Sequence, residues 1–225
     1  MKLPATFAIA AALIAILCAA PSNAAPYAET FSAAAVGSAF PAGWNIPAAD
    51  FTLVPGALVS NGNGAKSFAV WNTVPAGNSV TYTATITAVE APGKGWDAAG
   101  IGIWVDNDNY WQLALIQPPA EMTNLKNFTE LAEMYNKEWN SQGAGAKALT
   151  ALPVSSGFEW KPGVPYQFKL VVSPDQILGT ISDAGVVKAQ RGFKFNNPAV
   201  TKGKPVLISG GFKARFTDVK AEVAP

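Results

Sequence analysis

The sequence predicts an all-β fold of antiparallel strands, a sandwich or a barrel, and three observations carry that prediction. Trp104-Val105-Asp106-Asn107-Asp108-Asn109-Tyr110-Trp111 sets a polar turn between two apolar runs. Ile101 and Ile103 before the turn, and Leu113 and Leu115 after it, recur at every second position, which is the period of a strand. Other runs alternate in the same way, and turn residues punctuate the chain at strand-length intervals. They include Pro41-Ala42-Gly43, Pro55-Gly56, Asn61-Gly62-Asn63-Gly64, Pro75-Ala76-Gly77-Asn78, Pro92-Gly93-Lys94-Gly95, Pro162-Gly163 and Asp183-Ala184-Gly185. Many short strands joined by Gly/Pro turns pack as two layers or close on themselves.

Residues 1–24 read as a cleaved signal peptide. Lys2 gives a short positive start, Ala5 to Ala20 an apolar core, and Ser22-Asn23-Ala24 the small residues that signal peptidase requires, so cleavage is expected after Ala24. The apolar run is short against the ~20 residues of a membrane span, and no later segment approaches that length. A periplasmic or secreted protein without membrane insertion is expected, with residues 25–225 as a single domain. The only cysteine, Cys18, falls inside the signal. Leu17 before it is bulky where lipidation wants a small residue, so the mature chain is expected to rely on its core without a disulfide.

Charge and composition narrow the function. Removing Lys2 from the 16 basic side chains leaves 15 against 15 acidic ones. A chain near neutrality, with no clustered Lys/Arg run, argues against nucleic acid or an anionic membrane as partner. The histidine count is 0, which excludes His-based acid–base catalysis, Ser-His-Asp and Cys-His constellations and the usual zinc sites. Any catalysis would fall to carboxylates, Tyr, Lys or Ser.

The clearest strand is Ser79 to Ala88: Val80, Tyr82, Ala84, Ile86 and Ala88 take one face, and Thr81, Thr83, Thr85 and Thr87 the other. Tyr166, Phe168, Leu170 and Val172 alternate with Gln167 and Lys169 in a second. Phe212, Ala214 and Phe216 alternate with Lys213, Arg215 and Thr217 in a third. The stretch 127–142 admits two readings. Phe128, Leu131, Tyr135 and Trp139 fall at helical spacing, toward which periodicity leans. The alternative is a hairpin, with Phe128–Tyr135 and Glu138–Gln142 joined by a turn at Asn136-Lys137, where Asn tolerates positive φ.

The order of motifs resembles the concanavalin A-like lectin/glucanase (laminin-G-like) family. Glu29-Thr30-Phe31 followed by Pro41-Ala42-Gly43-Trp44 is similar to the opening of bacterial members. Asp50–Val54 with Gly56-Ala57-Leu58-Val59 resembles the strand pair that comes next. Ala99 to Trp104 with Asn109 to Leu113 is similar to the family's core hairpin, and Trp160 to Tyr166 to the run ahead of a long strand. Pro205–Gly211 with Phe212–Val223 resembles the closing pair. The resemblance covers essentially the whole mature chain. It implies a jelly-roll sandwich of two curved antiparallel sheets, ~10 Å apart. It also implies that Phe31 and Phe216 share a core, that Trp44 and Trp160 are packing residues, and that residues 127–142 form the hairpin.

In that family the concave face and its rim often bind glycans, and calcium is a frequent structural ligand. Hydrolytic members carry a Glu-x-Asp-x-x-Glu strand that sets two carboxylates about one glycosidic bond, and this sequence lacks it. Glu130 and Glu133 are the nearest pair, but an odd spacing sends them to opposite faces of a strand. The expected function is therefore non-catalytic binding of a polysaccharide or glycan, through Trp104, Asp106, Asp108, Tyr110, Trp111 and Trp139. Indole faces stack on pyranose C–H surfaces, while carboxylates and amides take the sugar hydroxyls. The competing readings are a glycan hydrolase using Glu121, Glu130 or Glu133, and a structural envelope protein without a small ligand. No cofactor is expected beyond a possible structural calcium at Asp106 and Asp108, where the alternative is that Asp/Asn simply make the hairpin turn.

Overall fold

In a computed structural model of the 225-residue chain, the residues described are 25–32, 35–63, 66–90, 95–140, 150–151 and 157–224. The expected signal peptide and Cys18 lie outside them. The described strands are β1 (Ala25–Glu29), β2 (Trp44–Asn45), β3 (Phe51–Val54), β4 (Ala57–Ser60), β5 (Ser67–Trp71) and β6 (Val80–Glu90). There follow β7 (Asp97–Asp106), β8 (Asn109–Gln117), β9 (Phe128–Tyr135), β10 (Glu138–Trp139) and β11 (Thr150–Ala151). The last are β12 (Pro165–Ser173), β13 (Gln176–Asp183), β14 (Val186–Lys194), β15 (Lys204–Gly210) and β16 (Lys213–Val223).

They form two antiparallel sheets. The first runs β11-β14-β13-β12-β6-β16-β4-β3, with β1 also paired to β16, and the second runs β10-β9-β8-β7-β15-β5-β2. The all-β sandwich class is as the alternation predicts. On β6, Val80, Tyr82, Ala84, Ile86 and Ala88 are buried while the threonines between them are not. On β12, Tyr166, Phe168, Leu170 and Val172 are buried in the same way. These side chains meet Ile101, Ile103, Leu113, Leu115 and Leu131 of the second sheet in one apolar core. Phe31 and Phe216 share it, and β1 closes on β16 with Tyr27 opposite Ala221. Trp44 stacks on Trp71 with ring centres 4.8 Å apart, and the fully enclosed Trp160 donates to the Ile116 carbonyl at 3.0 Å.

Residues 127–142 resolve as the hairpin. β9 and β10 flank a turn in which Asn136 (φ 51) and Lys137 (φ 68) both take the left-handed conformation of a two-residue turn. The helical spacing in the sequence arises because β9 is buried on both faces, so its apolar residues do not alternate. Strand β16 also departs from plain alternation. Asp218 (φ 52) lies in a bulge between Thr217 and Lys220, which turns Val219 into the core where strict alternation would have placed it outside.

Candidate functional site

The outer face of the second sheet, the one turned away from the core, is built from cross-strand pairs. Tyr110 stands opposite Met134 and Trp104, Gln112 opposite Ala132 and Gly102, and Ala114 opposite Glu130 and Gly100. Ile116 stands opposite Phe128 and Ala98. The middle of this face is thus a floor of Ala and Gly. Its glycines are obligatory: a Cβ on Gly100 would strike the Leu113 carbonyl, and one on Gly102 the Trp111 carbonyl. Larger side chains rise around the floor, and a cleft of about 760 Å³ lies against it.

Aromatic and polar groups both line the cleft. Trp96, 51% exposed, stands at its mouth with its ring edge-on to Phe128 at 6.1 Å, and Trp139 lies at the far side, edge-on to Tyr110 at 5.9 Å. Between these aromatics runs a chain of polar groups. The Lys66 ammonium donates to the Tyr110 hydroxyl and to Gln112 Oε1, both at 3.0 Å, and sits 4.4 Å over the Trp139 ring. Gln112 in turn donates through Nε2 to Glu130. With its amide anchored at both ends, Gln112 is held in one orientation on the floor.

Asp97, only 3% exposed, also lines the cleft, and burial raises its carboxyl above the ordinary value. The cleft also extends to the core side, to Leu131 and to Phe193 and Arg191 of β14, and the Arg191 Nε is buried without a hydrogen-bond partner.

Burial sets the electrostatics of the site. It lowers the Lys66 ammonium to about 8 from 10.5, partly offset by the carboxylate of Glu130. Burial also raises the phenols of Tyr82 and Tyr110, the latter helped by Glu130. Between pH 8 and 10 the unfolded chain therefore binds more protons at Lys66 than the native one, and stability rises with pH. Above about 10 the unfolded tyrosines lose protons that the native phenols keep, and stability falls. Urea unfolding at a series of pH values is expected to show this maximum, and Lys66→Met to lose the rising limb. A rising limb unchanged in the variant would contradict the buried setting of Lys66.

The structure brings together three of the six residues singled out from sequence. Trp104, Tyr110 and Trp139 share the outer face in one cluster with Phe68, Val206 and Ile208. Tyr110 is buried beneath its neighbours. Trp111 lies on the other side of the sheet, fully enclosed among Phe193 and Phe195 and donating to the Val200 carbonyl at 2.8 Å, so it does not line the cleft.

Asp106 and Asp108 occupy the β7–β8 turn. Asp106 accepts from the Asp108 amide at 2.8 Å and from Asn109 Nδ2 at 2.9 Å, while Asp108 pairs with Lys137 at 3.6 Å. The turn uses both carboxylates. Among the described residues no third His, Cys, Asp or Glu joins them.

Glu130 and Glu133 fall on opposite faces, as their odd spacing requires, but neither is a surface charge. Glu130 is on the cleft floor, and Glu133 is buried on the core side, where it accepts from the Val200 amide and from Asn140 Nδ2. Sequence reasoning missed Lys66, Gln112 and Asp97. Gln112 did leave a signal, as a lone polar side chain inside the apolar run from Tyr110 to Ile116.

No protein-family model matches the sequence, and no curated protein matches it. Solved structures do. The carbohydrate-binding module CBM66 from Bacillus subtilis aligns with TM-score 0.53 and 14% identity, over 79% of this chain and 94% of that one. A xylan β-1,4-xylosidase from Bacillus halodurans C-125 aligns with TM-score 0.60 and 13% identity, over 91% of this chain and 40% of that one. The GH43 protein BlXynB from Bacillus licheniformis gives 0.57 and 14%, over 88% and 39%. The chain therefore spans about two fifths of the two longer proteins. At these identities the likeness shows a shared β-sandwich fold.

Proposed function

We propose that this protein is an exported, non-catalytic polysaccharide-binding sandwich of concanavalin A-like type, and that the outer face of its second sheet holds the glycan. The observation that carries the reading is the cleft itself. Trp96 and Trp139 offer apolar rings at its two sides, and the anchored Gln112 and Glu130 lie between them. A pyranose has the matching chemistry, with C–H patches for indole faces and hydroxyls for an amide and a carboxylate. Lys66 covers one face of Trp139 and holds Gln112, so it orients the site. Sandwich neighbours that include a carbohydrate-binding module and a xylosidase support the same class of ligand. The missing paired-carboxylate strand and the count of 0 histidines support a binding role over catalysis.

The test is affinity electrophoresis of the protein recovered from the periplasm or medium, where its first residue should be Ala25. Gels hold a panel of soluble polysaccharides, with calcium or with chelator. Retardation by at least one polymer, unchanged by chelator, is expected. A chelator-sensitive shift would give the Asp106–Asp108 turn to a metal. No retardation by any polymer, or release of reducing ends during incubation, would overturn the binding reading.

A further inference from the structure

The outer face of the first sheet has a different chemistry. Among the described residues it carries no aromatic ring, and its strands present hydroxyls, amides and cations in register. Thr83 of β6 pairs with Lys169 of β12 on one side and with Lys220 of β16 on the other, and Lys169 pairs onward with Thr180 of β13. The adjacent row reads Ser182, Gln167, Thr85 and Thr217 across the same four strands. A depression of about 510 Å³ follows these two rows, with the exposed Val187 of β14, opposite Ser182, as its apolar end.

The placement of Lys220 depends on the bulge. Thr217 pairs with Thr85, so unbroken alternation would set Val219 beside Thr83 and turn Lys220 into the core. The extra residue at Asp218, held at φ 52, reverses this. The chain thus adopts a conformation that L-residues rarely take, and the result is a second ammonium in the row of Lys169.

The two ammonium groups flank the Thr83 hydroxyl from strands two positions apart, roughly 9–10 Å at sheet spacing. Among the described residues neither lysine has an ion-pair or hydrogen-bond partner. The charges facing them are few. Asp218 lies at the end of the depression, with Thr217 donating to it at 3.1 Å, and Glu222 and Arg215 stand in the outlying rows of Thr81 and Thr87.

Isolated cations set among hydroxyls and an amide suit a polymer that is anionic at intervals and hydroxylated between. A nucleic acid or an anionic membrane would call for a denser basic surface. Lys, a compact point charge, takes single carboxylate oxygens well.

We propose that this face is a second glycan site that takes a uronate-bearing polysaccharide. Its carboxylates dock at Lys169 and Lys220, and its hydroxyls bond to Thr83, Thr85, Gln167 and Thr180. The site lies on the opposite side of the sandwich from the aromatic cleft and works independently of it.

The test is affinity electrophoresis of the full mature chain in polygalacturonate and in dextran sulfate gels, at low and at high salt. Wild type and Trp139→Ala should be retarded equally by polygalacturonate, less so as salt screens the contacts. The double variant Lys169→Gln/Lys220→Gln should bind at least tenfold more weakly, with an unchanged melting temperature because both side chains are exposed. Wild type passing polygalacturonate freely, or equal retardation of the double variant, would overturn the proposal. Equal retardation of wild type by dextran sulfate would overturn the carboxylate assignment. Loss in Trp139→Ala alone would return the uronate to the aromatic cleft.

Discussion

Trp111→Ala is expected to lower the unfolding free energy by about 3–5 kcal/mol, the ordinary cost of emptying a buried aromatic site. The indole is fully enclosed between the sheets, and its removal also leaves the Val200 carbonyl without its donor at 2.8 Å. The same position in sequence, beside Tyr110 and close to a polar turn, makes Trp111 look like a binding residue. Urea unfolding separates the two roles. A loss of less than about 1 kcal/mol, accompanied by lost glycan retention, would contradict the core placement.

Trp139→Ala is expected to do the reverse. It should weaken polysaccharide binding at the cleft by at least tenfold, the scale expected when a stacking platform is removed from a binding hot spot. Trp139 is only partly buried, so stability should change far less than in Trp111→Ala. Gln112→Ala should weaken binding as well, since its amide is held on the floor between Lys66 and Glu130. Titration calorimetry with a retarding neutral polymer, which the lysine face does not take, checks both. Undiminished affinity in Trp139→Ala would move the site elsewhere.

The contrast between these tryptophans shows what the sequence made legible. Strands with one buried face, such as β6 and β12, announce their orientation by alternation, and every inward residue named from them is buried. Strands β8 and β9 are buried on both faces, so alternation there does not say which face is the core. Trp111 is in phase with Leu113 and Leu115, but Tyr110, Ala114 and Ile116 on the other face are buried too, and Phe128, Leu131, Tyr135 and Trp139 mimic a helical stripe.

Only pairing decides: Trp111 stands opposite Ile103 and turns inward with it, while Tyr110 stands opposite Trp104 and turns outward. The carboxylates of the β7–β8 turn carried two readings in the sequence, ligand-binding and turn-forming, and their hydrogen bonds are of the turn kind. Lys66 was not legible, because its partners are 44 and 46 residues away and meet it only through the register of the second sheet. The bulge at Asp218 is hidden for a similar reason. Its signature is a single phase slip, from Phe216 to Val219, in an otherwise regular alternation.

The central claim is that a glycan occupies the outer face of the second sheet between Trp96 and Trp139. The most direct measurement is the set of seven indole N–H resonances, followed during titration with an oligosaccharide of a retarding neutral polymer. The account predicts that the Trp96 and Trp139 resonances shift in proportion to saturation. Those of Trp44, Trp71, Trp111 and Trp160, sealed in the core, should stay in place. Saturable binding that leaves the Trp96 and Trp139 resonances unmoved would contradict it.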